Sequence, residues 1–333
     1  AVYGPYNFPA HLPNGHITPS LLAGNTVIFK PSELTPMVAE WMVRQWEAAG
    51  LPAGVLNLVQ GERDTGIALA QQSIDGVLFT GSSATGKLLH AQFAGRPEVM
   101  LALEMGGNNP LIVSKVSNIE AAVYETILSA FTGTGQRCTC ARRLIVIENE
   151  QSDAYIQQLI ASAAALTIGA YDAEPSPFMG PLIHNWEADR LLEGQRRLED
   201  LGGKVLLRMS RVKEGLPYVS PSIIDVTGVK NIPDVEYFGP LLKLYRVASL
   251  EEAVLEANRT EFGLSASVIS DYKNEYQYVN SHLRAGLINW NKQTTGASGA
   301  GPFGGIGISG NHRPAGYYSA DYCAYPVASV EAT

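Results

Sequence analysis

Short apolar runs alternating with amphipathic stretches are the feature that most limits what this chain can fold into. Strand-like runs at 26–29, 55–59, 76–79 and 99–103 are separated by helical segments, the clearest over 36–49. Strands spaced by helices of this length need crossover connections, and crossovers produce a parallel sheet covered on both faces. The expected fold class is therefore α/β, opening with a Rossmann-type, doubly wound sheet. The pattern restarts with a strand at 111–113, a helix at 119–131, a strand at 143–148 and a helix at 153–166. Further helices are expected at 187–201, 250–258 and 272–283, and further strands at 205–207, 223–224, 264–269 and 287–290. The chain thus reads as a first domain over 1–106, a second α/β domain over 107–308, and a tail over 309–333. The tail's Tyr, Ala and Val content suits an edge strand that pairs with a neighbouring subunit.

Composition narrows the function classes. Hydrophobic residues make up 46% and charged ones 17%, ordinary for a globular protein. Net charge is −8 with no Lys/Arg run, so no nucleic-acid partner is expected. The longest mostly apolar stretch, near 159–170, is too short to span a bilayer, and no signal peptide is expected. Cys138, Cys140 and Cys323 are too few for a disulfide framework and point to a reducing cytoplasm. None of the six histidines lies at ligand spacing from Cys138-x-Cys140, so no metal is expected.

Two segments carry candidate nucleotide chemistry. The run at 76–79 leads into Thr80-Gly81-Ser82-Ser83-Ala84-Thr85-Gly86-Lys87 and then a helix. A Gly-rich turn opening a helix offers free N–H groups and a positive dipole end to a phosphate. Leu88 stands where a triphosphate P-loop needs a Mg²⁺-binding hydroxyl, which disfavours a kinase or ATPase. Read alone, Gly81, Ser82 and Gly86 also fit an ordinary tight turn. Phe29-Lys30-Pro31-Ser32-Glu33 closes an earlier strand at the same edge, where an acidic residue can accept from ribose hydroxyls. Read alone, Lys30 and Glu33 also fit solvated strand-end charges.

Covalent chemistry is suggested by Leu103-Glu104-Met105-Gly106-Gly107-Asn108 and by Phe131-x-x-x-Gly135-Gln136-Arg137-Cys138. A carboxylate that activates water and a thiolate that attacks a carbonyl are what a thioester-forming oxidation requires. Together the two turns resemble the active-site signatures of the NAD(P)-dependent aldehyde dehydrogenase superfamily, and the resemblance runs along essentially the whole chain.

The resemblance implies an aldehyde dehydrogenase-like fold, a cofactor domain followed by a catalytic one, with Cys138 as nucleophile and Glu104 as general base. Asn7, in Asn7-Phe8-Pro9, would donate its amide to the substrate oxygen; without the family it would read as a turn residue. Lys30, Glu33 and Ser82 would hold the adenosine and pyrophosphate of the cofactor. Glu33 would repel a 2′-phosphate, so NAD is preferred to NADP. In Glu236-Tyr237-Phe238-Gly239-Pro240, Glu236 would hold the nicotinamide ribose and Phe238 would pack by the ring. Cys140 is expected to be structural. Against the family the sequence looks short of its first third, since Ala1-Val2-Tyr3-Gly4-Pro5 begins mid-pattern with no strand or helix leading into it.

The loop at 297–301 matches the family position that anchors the far end of carboxylated semialdehydes. Ser298 and the N–H groups at Gly299 can donate to a carboxylate, and Arg137 and Lys292 add positive charge, although either cation could equally face solvent. The segments Asn289-Trp290-Asn291-Lys292, Gly310-Asn311-His312-Arg313-Pro314 and Ala320-Asp321-Tyr322-Cys323-Ala324 resemble one branch. That branch oxidises N-succinylglutamate 5-semialdehyde in arginine catabolism. The rivals are glutamate or succinate semialdehyde as substrate, or a non-catalytic binding protein on this fold. The family commonly forms homodimers or dimers of dimers.

Overall fold

In the computed structural model, which describes residues 1–332, the chain enters directly as a strand at the middle of a sheet. The elements follow as β1 (Val2–Tyr3), α1 (His11–Leu22), β2 (Val27–Lys30), α2 (Pro36–Ala48), β3 (Leu56–Leu58), α3 (Arg63–Ala70), β4 (Gly76–Gly81), α4 (Ser83–Gln92) and β5 (Met100–Met105). All five strands are parallel in the order β3-β2-β1-β4-β5. Helices cover both faces. Ile17, Ala39 and Met42 pack with Val2, Phe29 and Leu78, while Leu69, Leu89 and Phe93 pack with Val77, Phe79 and Leu103. The strand order reverses at β1, so the loops after β1 and β4 open the crevice where such sheets bind ligands.

This first compact unit comprises Ala1–Met105, Ser298–Gly304 and the segment from Gly310 on. The second comprises Gly106–Ala297 and Gly305–Ser309. Its elements are β6 (Asn109–Val113), α5 (Ile119–Phe131), β7 (Ala141–Ile147), α6 (Ser152–Ala164), α7 (Asn185–Asp200), β8 (Lys204–Leu207), β9 (Ser222–Asp225), β10 (Leu241–Val247), α8 (Leu250–Ala257), β11 (Ser265–Ile269), α9 (Lys273–His282) and β12 (Leu287–Trp290). They form a seven-stranded sheet in the order β12-β11-β6-β7-β10-β9-β8, parallel except where β8 meets β9. In the first unit β13 (Pro302–Phe303) and β14 (Ala315–Gly316) make a short antiparallel pair.

The helices expected from the pattern form with ends moved by a residue or two, which is where end-fraying and caps compete. The short pair β13 and β14 was not legible, nor were β1, α1 and β10. β1 is too short to show alternation. In α1, Pro13, Gly15 and Pro19 mask the amphipathic stripe. Strand β10 is broken in pattern by Lys243, a lysine buried completely. After β14 the tail makes a 3-10 turn at Tyr317–Ala320 rather than a further strand. Tyr322 and Cys323 then settle beside α1: the Tyr322 hydroxyl lies 3.1 Å from His16 Nδ1, and Asn25 donates to the Cys323 carbonyl at 2.7 Å. Among the described residues no helix is long and apolar enough to cross a membrane.

Candidate active site

In the first unit the expected residues gather at the carboxyl ends of the strands. Asn7 lies half-buried in the loop after β1. That loop is held close by Gly4, where a Cβ would sit 2.7 Å from Pro13 Cγ. Lys30 ends β2 with its side chain buried; Nζ donates to the Pro31 carbonyl at 3.1 Å and lies 3.8 Å from Glu33 Oε2. Burial lowers the Lys30 pKa, and Glu33 works against that shift. Glu33 is itself half-exposed, free to meet a polar ligand.

Ser82 follows β4 and caps α4, its hydroxyl accepting from the Thr85 N–H at 3.2 Å. Gly81 could carry no side chain, because a Cβ would lie 2.5 Å from Phe79 Cζ. A Cβ on Gly86 would lie 2.1 Å from Met105 Sδ. That glycine lets α4 approach β5, which is how the helix N-terminus comes to face the strand ends.

Glu104 sits on β5 opposite Thr80 in the parallel register and is buried. Its Oε1 accepts from the Ala315 N–H at 3.3 Å, and its Oε2 has no hydrogen-bond partner among the described residues. Burial pushes this carboxyl well above the usual carboxylate range, with the Ala315 N–H pulling the other way. Gly304 makes room for it, since a Cβ there would lie 2.8 Å from Oε1. The free edge of β5 is closed by Asn311, whose side chain accepts from Leu103 N–H at 2.9 Å and donates to Leu101 O at 2.8 Å. Ser298 and Gly299 lie in an exposed turn of this unit, the Ser298 hydroxyl accepting from Ala300 N–H at 3.3 Å.

The second unit presents the thiol. Gly133, Thr134 and Gly135 follow one another at φ 62°, 59° and 70°. A non-glycine residue held there is strained, a feature that clusters at functional sites. Gly135 is obligatory, because a Cβ would lie 2.4 Å from the Gly239 carbonyl. Gln136 staples the turn to a neighbouring loop, accepting from Ile183 N–H at 2.9 Å and donating to Pro181 O at 3.2 Å. Cys138 is half-buried beside Arg137. Cys140 is fully buried, and burial raises its thiol pKa. Lys292 is exposed in this unit.

Several residues that support this turn and the strand after it were not legible in the sequence. Asn109 donates to the carbonyls of Cys138 at 2.7 Å and Cys140 at 2.9 Å, and accepts from Ser265 N–H at 3.0 Å. Arg142, fully buried, donates to the carbonyls of Gly135, Arg137 and Gly239 at 2.7, 3.0 and 3.0 Å. Arg143 donates to Asn108, Glu256 and Ala257 carbonyls. The available signal was a pair of arginines opening an apolar strand, where burial is tolerated only if the guanidinium finds acceptors.

Glu236 and Phe238 come to the same place as the thiol turn. Glu236 Oε1 accepts from Gly107 N–H at 3.2 Å and lies 4.0 Å from Arg142 Nη2. The Arg142 guanidinium stands over the Phe238 ring at 5.5 Å. A Cβ on Gly106 would lie 1.8 Å from Glu236 Oε2, so the Gly-Gly turn is what admits this carboxyl. Burial pushes Glu236 up to about 7, opposed first by Arg142.

These features define a two-unit α/β protein with one doubly wound sheet of the dinucleotide-binding type and one sheet that presents a strained cysteine turn. The model of the aldehyde dehydrogenase family matches residues 1–326, and the chain belongs to that family. Solved structures agree. A structure of PnpE in complex with nicotinamide adenine dinucleotide is 31% identical, with TM-score 0.90 over 97% of this chain and 66% of that one. An NAD-dependent aldehyde dehydrogenase from Sinorhizobium meliloti is 30% identical, with TM-score 0.90 over 96% and 64%. A gamma-glutamyl-gamma-aminobutyraldehyde dehydrogenase from Burkholderia cenocepacia J2315 is 32% identical, with TM-score 0.88 over 96% and 65%. The chain therefore spans a little under two thirds of the length of these relatives.

Proposed function

We propose that this chain carries the cofactor-binding and catalytic groups of an NAD-dependent aldehyde dehydrogenase whose substrate is N-succinylglutamate 5-semialdehyde. The observation that carries the reading is Glu104. It is a buried carboxyl held by one oxygen, its other oxygen unpartnered among the described residues, in a chain that also presents a half-buried thiol in a strained turn. A buried, proton-avid carboxylate is suited to take a proton from water near neutral pH.

The residues fit NAD. Glu33 and Lys30 suit the adenosine ribose, the capped start of α4 suits the pyrophosphate, and Glu236 suits the nicotinamide ribose. When bound, the nicotinamide supplies a hydride acceptor. The Cys138 thiolate attacks the aldehyde carbon, and the Asn7 amide and the Cys138 N–H donate to the oxyanion that forms. Hydride loss from that carbon leaves an acyl thioester on Cys138. Glu104 then removes a proton from water, which attacks the thioester carbonyl and expels the thiolate, releasing the carboxylic acid.

The substrate assignment is supported by the branch-like segments of the sequence and by the exposed N–H groups and hydroxyl at Ser298 and Gly299, with Arg137 and Lys292 as further anion partners. Three cysteines, none of them in a disulfide among the described residues, suit the cytoplasm, and a homodimer or dimer of dimers is the assembly expected. The test is NADH formation by the full protein with N-succinylglutamate, glutamate and succinate semialdehydes, beside Cys138→Ala. Highest kcat/KM for the succinylated compound, lost in the variant, supports the proposal. Preference for another semialdehyde overturns the substrate. Silence with all three overturns the enzyme reading in favour of a binding role.

A further inference from the structure

Arg142 is placed unlike an ordinary structural arginine. Its one guanidinium spans two segments far apart in sequence: the turn that carries Cys138, through the carbonyls of Gly135 and Arg137, and the Glu236–Gly239 segment, through the Gly239 carbonyl. The same group faces the Glu236 carboxylate at 4.0 Å and covers the Phe238 ring. Gly135 packs its Cα directly against the Gly239 carbonyl, so neither segment can shift without the other. Close-packed interiors transmit such displacements rather than absorb them.

We infer that Arg142 is a positioning residue that couples the Glu236 carboxylate to the geometry of the Cys138 turn. The inference rests on the reading of Cys138 as nucleophile and Glu236 as a cofactor ligand. Arg142 holds three carbonyls with a planar fork, which a lysine could not do at once. The ion pair is completely enclosed on the Arg142 side, where a charge left without its partner is costly. Loss of the Glu236 charge therefore redirects the guanidinium and, through the Gly135 and Arg137 carbonyls, the thiol. The other groups that set the charge on Glu236 are the Gly107 N–H and, on α7, Arg190 and Glu187. Of these charged groups, Arg142 also holds the thiol turn, through the Gly135 and Arg137 carbonyls.

The test is a double-mutant cycle read by iodoacetamide alkylation of Cys138, quantified by peptide mass spectrometry on the full protein without cofactor. Glu236→Gln is expected to change the alkylation rate about threefold or more in the parent and less than about 1.5-fold beside Arg142→Gln. Arg142→Lys, which keeps the charge and loses the fork, replaces Arg142→Gln if the latter fails to fold. Equal effects of Glu236→Gln in both backgrounds, or no effect in the parent, overturn the inference. Because no cofactor or aldehyde is present, this outcome is separate from that of the turnover assay.

Discussion

The Asn109 side chain donates to the backbone carbonyl of Cys138 at 2.7 Å, so the candidate nucleophile is held from the start of β6 as well as from its own turn. Asn109 also satisfies Cys140 O and Ser265 N–H. Replacing it by Ala strands buried groups, each costing about 1–3 kcal/mol. Asn109→Ala is expected to lower stability by about 3 kcal/mol in urea unfolding. A loss under about 1 kcal/mol would show that the turn holds its shape without this residue.

Glu104→Gln separates the two chemical steps. Without a base the thioester persists, so steady turnover falls by about 10²–10⁴ while one equivalent of NADH still forms in a burst. Undiminished steady turnover would remove Glu104 from hydrolysis.

The same substitution has a stability signature. The Glu104 carboxyl is raised above its ordinary value of 4.5 in the folded protein, by burial. The native state therefore binds its proton more tightly than the unfolded state does. That contribution is fully present below the ordinary carboxylate range and is lost as pH rises through the folded value. The parent is expected to lose stability relative to Glu104→Gln as pH climbs from 4 to 8, followed by thermal melts. Parallel curves would contradict the buried, raised carboxyl.

Ser82 serves as a helix cap whatever else it binds. Ser82→Ala is expected to cost about 1 kcal/mol, whereas Ser82→Asp keeps the cap. The aspartate also puts a negative charge where a pyrophosphate would sit. Stability near the parent's, with NAD affinity reduced at least about tenfold in calorimetric titration, is the expected pair of results for Ser82→Asp. Unchanged affinity would place the cofactor elsewhere.

Glu33 lies half-exposed beside the buried Lys30. A carboxylate there repels a 2′-phosphate, so NAD is expected to outperform NADP, and Glu33→Gln to narrow the kcat/KM ratio about tenfold. A ratio insensitive to this change would mean that Glu33 does not face the ribose.

The parts of the molecule legible in sequence are those whose causes are local. Alternating apolar runs foretell β2, β4, β6 and β7, because burial against covering helices demands them. Glycines foretell the turns around Glu104 and Cys138, because Gly106 must clear a carboxyl and Gly135 must take φ 70° against a carbonyl. The family resemblance then suggested roles for Glu104 and Cys138, which flank those glycines.

What hid was whatever is stabilised from a distance. Lys243 breaks the apolar run of β10, yet it is held by Asn108 Oδ1 at 3.3 Å and lies over the Tyr237 ring at 5.8 Å. Burial lowers its pKa to about 7. β1 is a strand only because β2 and β4 flank it on either side. Arg142 reaches Gly239, nearly a hundred residues on, and Asn109 reaches Ser265, farther still. The sequence alone determined the layered α/β plan and the glycine-framed turns, since both follow from backbone sterics and short-range periodicity. Only the tertiary structure decided which buried polar groups support those turns, because a buried donor is tolerated only where the fold brings it an acceptor.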